Sequence, residues 1–266
     1  MVITFECHPR QVVQQQWQPE LLTTLDEKIQ LIRQANIDTL VVLRFDQQMA
    51  TLSAYDFMNH VLCQSLNVRC LITGYDNRFG HNRTEGFEDY CRYGQQLGIK
   101  VICSDALNVG STNASSSRVR QLLKVGNVEE ARQCLGRLYT LSGRVVHGEQ
   151  IGRKIGFPTA NLQPADSAKL VPHDGVYAVR VSVEGSLPKR GIMNIGTRPT
   201  FNGEKRTLET NIIDEIGDIY DKSICVEFIG RIREERQFSS GEALAEQIKK
   251  DKTEAEEILK DYEQES

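Results

Sequence analysis

Thr159 and Asn161 stand two residues apart in the stretch Phe157-Pro158-Thr159-Ala160-Asn161. On an extended segment residues i and i+2 face the same way. The pair therefore presents two neutral oxygens side by side, a donor set that can join phosphate oxygens around Mg²⁺. Just upstream lie Gly143, Gly148, Gly152 and Gly156, with Arg153 and Lys154 among them. Glycines this dense are costly unless the backbone needs unusual dihedrals or a close approach. With two cations beside them they suit a loop lying over phosphates. The spacing is not the G-x-x-x-x-G-K-[ST] of a Walker loop, and taken alone the glycines serve equally as barrel turns. Glu209, in Leu208-Glu209-Thr210-Asn211, is a candidate general base by type, although an isolated acid on a strand is more often simply solvated. Cys7 and His8 are adjacent, a poor geometry for a nucleophile and its base, and no third group orients them; they read as core or turn.

These residues need a scaffold, and the chain supplies two different rhythms. The first half alternates strand and helix. Thr24-Leu25-Asp26-Glu27 is a capping box, followed by Leu25, Ile29 and Ile32 at helical spacing. Thr39 to Leu43 is a continuous apolar run, as expected of a strand buried on both faces. Ser53 caps the next helix, residues 68–73 read as strand, 85–97 as a helix closed by Gly98, and 99–103 as strand. This order predicts a parallel sheet with covering helices. Two short helices follow, 117–124 and 128–135, ended by Gly126 and Gly136. From Tyr139 the pattern turns to strands without helices: 145–146, 176–183, 207–213 and 224–229. In the second of these Tyr177, Val179, Val181 and Val183 share one face. A small antiparallel barrel or sandwich is predicted, closed by a helix from Ser240 to about Glu263. The boundary is placed between 138 and 139.

Composition narrows the function classes. The 266 residues carry a net charge of −4, which argues against nucleic acid as a partner because that role needs a basic face. No apolar run is long enough for a membrane helix, and the N-terminal residues do not read as a signal peptide. The seven cysteines are scattered, with no C-x-x-C, and fit reduced thiols in a cytoplasmic protein rather than disulfides or a zinc site.

The pattern G-x-x-x-G-R-x-x-G-x-P-T-A-N over residues 148–161 resembles the riboflavin kinase family, specifically the bacterial bifunctional riboflavin kinase/FAD synthetases. The resemblance continues through Gly175-Val-Tyr-Ala, Asn194-Ile-Gly-Thr-Arg-Pro-Thr-Phe201, Leu208-Glu-Thr-Asn211, Asp218-Ile-Tyr220 and Arg233-Glu-Glu-Arg236-Gln-Phe238. It implies a six-stranded Greek-key barrel over 139–266 that moves the γ-phosphate of ATP to riboflavin and makes FMN. Gly148, Gly152 and Arg153 then match the flap over ATP, with Thr159 and Tyr220 also on the nucleotide side. Thr159 and Asn161 match the residues that hold Mg²⁺ and phosphate. Glu209 matches the base for the riboflavin 5′-hydroxyl, and Arg233, Arg236 and Phe238 match the segment closing over the flavin.

Residues 1–138 resemble the FMN adenylyltransferase module of the same family, a Rossmann-like nucleotidyltransferase. Gly74-Tyr-Asp76-Asn-Arg78-Phe-Gly80 matches its G-Y-D-x-R-F-G segment, which assigns Asp76 and Arg78 to a nucleotide or flavin pocket. Ser115-Ser116-Ser117-Arg-Val-Arg120 matches a segment that grips nucleotide phosphate at a helix start; a plain helix cap is the competing reading. The family's H-x-G-H does not occur in this sequence, nor does its first strand, so FAD synthesis is expected to be lost or weak. Two other readings stay open: a different nucleotidyltransferase acting through the first half, and a flavin-binding protein without turnover.

Overall fold

The computed structural model describes residues 1–14, 16–74, 77–81, 83–105, 108–109, 112–147, 157–200, 203–214 and 218–265. They form two compact units, Met1–Asn113 and Ala114–Ser266.

In the first unit strands and helices alternate: β1 (Val2–Phe5), α1 (Pro9–Val13), α2 (Leu25–Gln34), β2 (Leu40–Leu43), α3 (Gln47–Thr51), α4 (Ala54–Asp56), β3 (Cys70–Gly74), α5 (Phe87–Leu97) and β4 (Lys100–Ser104), then a short antiparallel pair β5 (Asn108–Val109) and β6 (Thr112–Asn113). The helix begun by α4 runs on in wide π turns over Phe57–Ser65. The predicted signals operate. Thr24 Oγ1 accepts from the Glu27 amide at 3.3 Å, while Glu27 Oε2 accepts from the Thr24 amide at 3.0 Å. Gly98 ends α5 in the left-handed region with φ +69. Ala54, Met58, Leu62, Tyr90 and Ile99 form the core, with Ile3 and Leu71 packed on it.

One expectation fails. The parallel strands form two separate pairs, β1–β2 and β3–β4, and the 39–43 run is not buried on both faces: Val42 is 39% exposed and Ile72 of β3 is 66% exposed. Cys7 and His8 are turn residues, as read. Cys7 Sγ donates to the Phe45 carbonyl at 3.7 Å, and His8 Nδ1 accepts from the Arg10 amide at 3.2 Å to start α1.

The second unit contains α6 (Ser116–Lys124), α7 (Val128–Leu135), six strands and a long C-terminal helix, α8 (Gly241–Glu265). The strands are β7 (Tyr139–Val146), β8 (Ala160–Pro164), β9 (Gly175–Val183), β10 (Lys189–Thr200), β11 (Gly203–Ile212) and β12 (Ser223–Arg233). They close into a barrel in the order β10-β11-β8-β7-β12-β9. Strands β9, β10 and β11 run as successive hairpin neighbours while β12 returns to lie beside β9, the Greek-key arrangement.

Period-2 alternation fills the barrel. Tyr139, Leu141, Tyr177, Val179, Val181, Met193, Ile195, Val226 and Phe228 are all fully buried. The opposite face is buried too, where α8 lays Ala255 and Leu259 against Leu138, Val176, Ala178, Ile192 and Ile229. Consecutive strand residues face opposite sides, so Phe228 lies within the barrel and Ile229 under the helix.

Helices α6 and α7, which the boundary at 138/139 groups with the first half, pack with the barrel, and the compact units divide ahead of them. The Arg231 amide donates to Glu129 Oε1 at 2.8 Å, and the Arg231 guanidinium donates to the carbonyls of Asp174 at 2.7 Å and Val125 at 3.3 Å.

Gly143, first of the glycine run, serves packing. It pairs with Pro164 of β8, and a Cβ there would fall 2.0 Å from the Gln163 carbonyl oxygen. Backbone cannot yield as a side-chain tip can, so Gly143→Ala is expected to lower stability by about 1–3 kcal/mol. The urea midpoint at constant slope measures it; an unchanged midpoint would mean that β8 moves aside freely.

Candidate active site

Strand register assembles the site. In the β10–β11 ladder Asn194 lies opposite Glu209, and in the β11–β8 ladder Glu209 lies opposite Asn161. Asn161 in turn faces Val146 of β7. Three polar residues thus form one row across adjacent strands, with neighbouring Cβ atoms about 5 Å apart. Asn211, two residues beyond Glu209, shares its face, and its amide donates to the Pro158 carbonyl at 2.7 Å, tying the Pro158-Thr159 segment to β11. Leu208 before Glu209 and Thr210 between the pair are buried.

The row opens into a cavity of about 620 Å³, within the range of small-molecule sites. Its strand wall carries Thr159, Asn194, Glu209 and Asn211, with Phe157, Val176 and Ile192 as apolar surface. The facing wall is the segment after β12, Arg233 and Glu235 to Phe238, backed by Leu244, Ile248 and Asp251 of α8. Asn161 lies beside Glu209 but outside the cavity lining.

Of the predicted flavin-side residues, all three sit on this wall. Two guanidinium groups lie near the Phe238 ring, Arg233 Cζ 5.7 Å and Arg236 Cζ 5.3 Å from its centroid. Arg236 donates to Gln247 Oε1. Glu235 was not singled out by sequence. Its Oε2 accepts from the Thr197 amide at 3.2 Å, and its carboxylate occupies the space where a Cβ on Gly196 would sit. The glycine inside Asn194-Ile-Gly-Thr was the available signal.

Tyr220, predicted to be on the nucleotide side, stacks its ring on His147 with centroids 4.0 Å apart and planes 22° apart. His147 directly follows Val146, the register partner of Asn161. Along the ladder the order is therefore Asn194, Glu209, Asn161, then Val146. Gly148, Gly152 and Arg153 lie outside the described residues. Among those described, no group of three or more His, Cys, Asp or Glu side chains could hold a metal. The hydroxyl and amide oxygens of Thr159 and Asn161 nevertheless fit Mg²⁺ of the kind that takes most of its ligands from phosphate and water.

The first-half candidates are less gathered. Asp76 lies outside the described residues. Arg78 is exposed, and its carbonyl accepts from Arg83. The two residues that end that motif have packing roles: Phe79 stacks on Tyr90 at 4.1 Å, and Gly80 takes φ +92 against the Ala54 backbone. Ser115 caps α6, accepting from the Arg118 amide at 3.2 Å; Ser116 and Ser117 are exposed in the first turn, and Arg120 is half-buried in the second. Arg78 and the serine segment fall in different compact units.

A riboflavin kinase family model matches residues 135–259, and an FAD synthetase family model matches residues 1–118. The bifunctional riboflavin kinase/FMN adenylyltransferase of Escherichia coli K12 is 37% identical over 259 residues, covering 97% of this chain and 82% of its own length. The enzyme of the same description from Bacillus subtilis is 36% identical over 263 residues, covering 96% and 80%. A crystal structure described as a macrolide-efflux protein from Streptococcus pneumoniae superposes with a TM-score of 0.85 at 31% identity, over 94% of this chain and 81% of that one; among the described residues no helix is long and apolar enough to cross a membrane. The chain belongs to the bifunctional riboflavin kinase/FMN adenylyltransferase family, and its second half is an ATP-dependent riboflavin kinase.

Proposed function

We propose that this kinase works through the cross-strand row. Riboflavin lies in the 620 Å³ cavity with its ring system against Phe238 and its ribityl chain toward Glu209. Glu209 takes the proton of the 5′-hydroxyl as that oxygen bonds to the γ-phosphorus of ATP. The bond from phosphorus to the β,γ-bridging oxygen breaks, leaving FMN and ADP. Thr159 and Asn161 would hold Mg²⁺ together with the phosphates; the ion supplies charge neutralisation there. The stacked Tyr220 stands on the adenosine side, and the 148–156 segment, with Gly148, Gly152 and Arg153, covers the phosphates. Phosphoryl transfer needs alignment, neutralised charge and a positioned base more than covalent help from the protein. The observation that carries the proposal is the register: Glu209, which lines the cavity, stands directly opposite Asn161.

The reading is tested by incubating the purified chain with riboflavin, ATP and Mg²⁺ and resolving the flavins. Stoichiometric FMN and ADP are expected. Riboflavin that binds to the folded protein but stays unconverted would favour a non-catalytic flavin binder. FAD as a second product would assign adenylyl transfer to the first half as well.

Asn161→Ala should weaken Mg-ATP about tenfold or more, the effect of losing a contact of about 1.4 kcal/mol, while riboflavin affinity holds. Titrating Mg²⁺ at fixed ATP checks it, and an unchanged metal dependence would remove Asn161 from the metal site.

A further inference from the structure

Asp251 is a carboxylate in a place made for a hydrocarbon. Along the C-terminal helix Leu244, Ile248, Ala255 and Leu259 form the apolar stripe that faces the barrel, and Asp251 sits at the remaining position of that stripe, 2% exposed. A charge so buried is costly unless paired and hydrogen-bonded. Here both oxygens are engaged. Arg233 Nε donates to Oδ1 and Nη2 to Oδ2, each at 2.8 Å, and Gln247 Nε2 donates to Oδ1 at 2.7 Å. Gln247 Oε1 then accepts from Arg236, and Arg233 Nη1 donates to the Glu234 carbonyl at 2.8 Å. The chain of bonds leaves β12, crosses the helix and returns to the segment beyond β12, and its two arginines lie 5.7 Å and 5.3 Å from the Phe238 ring centroid.

Residues 234–238 have no strand ladder or helix to fix them. Their position relative to Glu209 depends on side chains. We propose that Asp251 is a positioning residue for riboflavin: through Arg233 and Gln247 it fixes Phe238 and Arg236 as one wall of the flavin cavity. Arg233 then serves the flavin mainly by holding this wall, because three of its N–H groups are spent on Asp251 and the Glu234 carbonyl. A buried ion pair of this kind can often be replaced by apolar side chains with no loss of stability, whereas removing one partner is destabilising. Positioning and stability are therefore separable by mutation.

The inference rests on the flavin-side reading above. Riboflavin affinity, read by quenching of flavin fluorescence, needs no turnover, so failure of the catalytic reading would leave this test intact. Asp251→Asn should raise the riboflavin Kd and KM roughly tenfold, leaving the KM for ATP within about twofold, because the disturbed wall is remote from the His147–Tyr220 end. The double variant Arg233→Met/Asp251→Leu should melt at or above the wild-type temperature yet still bind riboflavin weakly. In a Phe238→Ala background, Asp251→Asn should add little further loss, since both act through the same ring. Wild-type riboflavin affinity in either folded variant would overturn the proposal. So would recovery of affinity in the double variant in step with its melting temperature, or additivity with Phe238→Ala.

Discussion

Glu209→Gln is expected to lower kcat by at least about a hundredfold, the low end for loss of a general base, while riboflavin binds nearly as before. The amide keeps the size and the strand position of the carboxylate, opposite both Asn194 and Asn161, so the row and the cavity floor remain. What it loses is the ability to accept the hydroxyl proton as the new phosphorus–oxygen bond forms. The loss should fall on kcat and on kcat/KM together, the pattern of an interaction made only in the transition state. Turnover near that of the wild type would mean that the proton leaves by another route and that Glu209 merely shapes the cavity. A large rise in riboflavin Kd with little change in kcat would point the same way.

Much of this arrangement is legible in the sequence because it rests on short-range pattern. The alternation in 176–183 and 224–229 identifies β9 and β12, and the capping box and Gly98 place the ends of α2 and α5. Strand β10 escapes pattern reading because Gly191, Gly196 and Pro199 interrupt it; the reasons are close neighbours, the Asn211 carbonyl beside Gly191 and the Glu235 carboxylate beside Gly196. Burial is the other blind spot. Ala178 reads as the outward face of a strand, and only the docking of the C-terminal helix covers it. Val42 reads as core and is exposed. For the site, motif identity picks out Thr159, Asn161 and Glu209 one at a time. That Glu209 faces Asn161 is a property of a ladder between distant segments, and no local signal encodes it. Asp251 shows the same limit: its charge breaks an apolar stripe visibly, but its partner Arg233 is known only once helix and barrel meet.

Phe228→Ala should cost about 3–5 kcal/mol of stability, the usual range for emptying a buried aromatic site and a large part of the roughly 5–15 kcal/mol available to a typical domain. Phe228 is fully buried, edge-on to Tyr177 at 5.4 Å and 6.2 Å from Tyr139. Neither tyrosine can readily swing in to fill the space: Tyr177 Oη donates to the His173 carbonyl at 2.6 Å and Tyr139 Oη to the Leu170 carbonyl at 2.5 Å. The cavity should therefore persist, which places the loss toward the upper end of the range. Phe228→Leu keeps most of the volume and should cost under about half as much. The shift in urea midpoint, at unchanged slope, measures both. The effect on function should differ in kind. Because consecutive strand residues face opposite sides, Phe228 points into the barrel and Ile229 toward the helix; the lost ring opens space inside the barrel, whereas the cavity is built outside it, between the strands and the C-terminal helix. At a temperature where the variant is still folded, its KM for riboflavin should stay close to that of the wild type. A stability loss under about 1 kcal/mol would show that the barrel interior repacks around the gap. A riboflavin KM rising in proportion to the stability loss would show that the inner and outer faces of β12 act as one unit, and that the cavity wall depends on the barrel core as well as on Asp251.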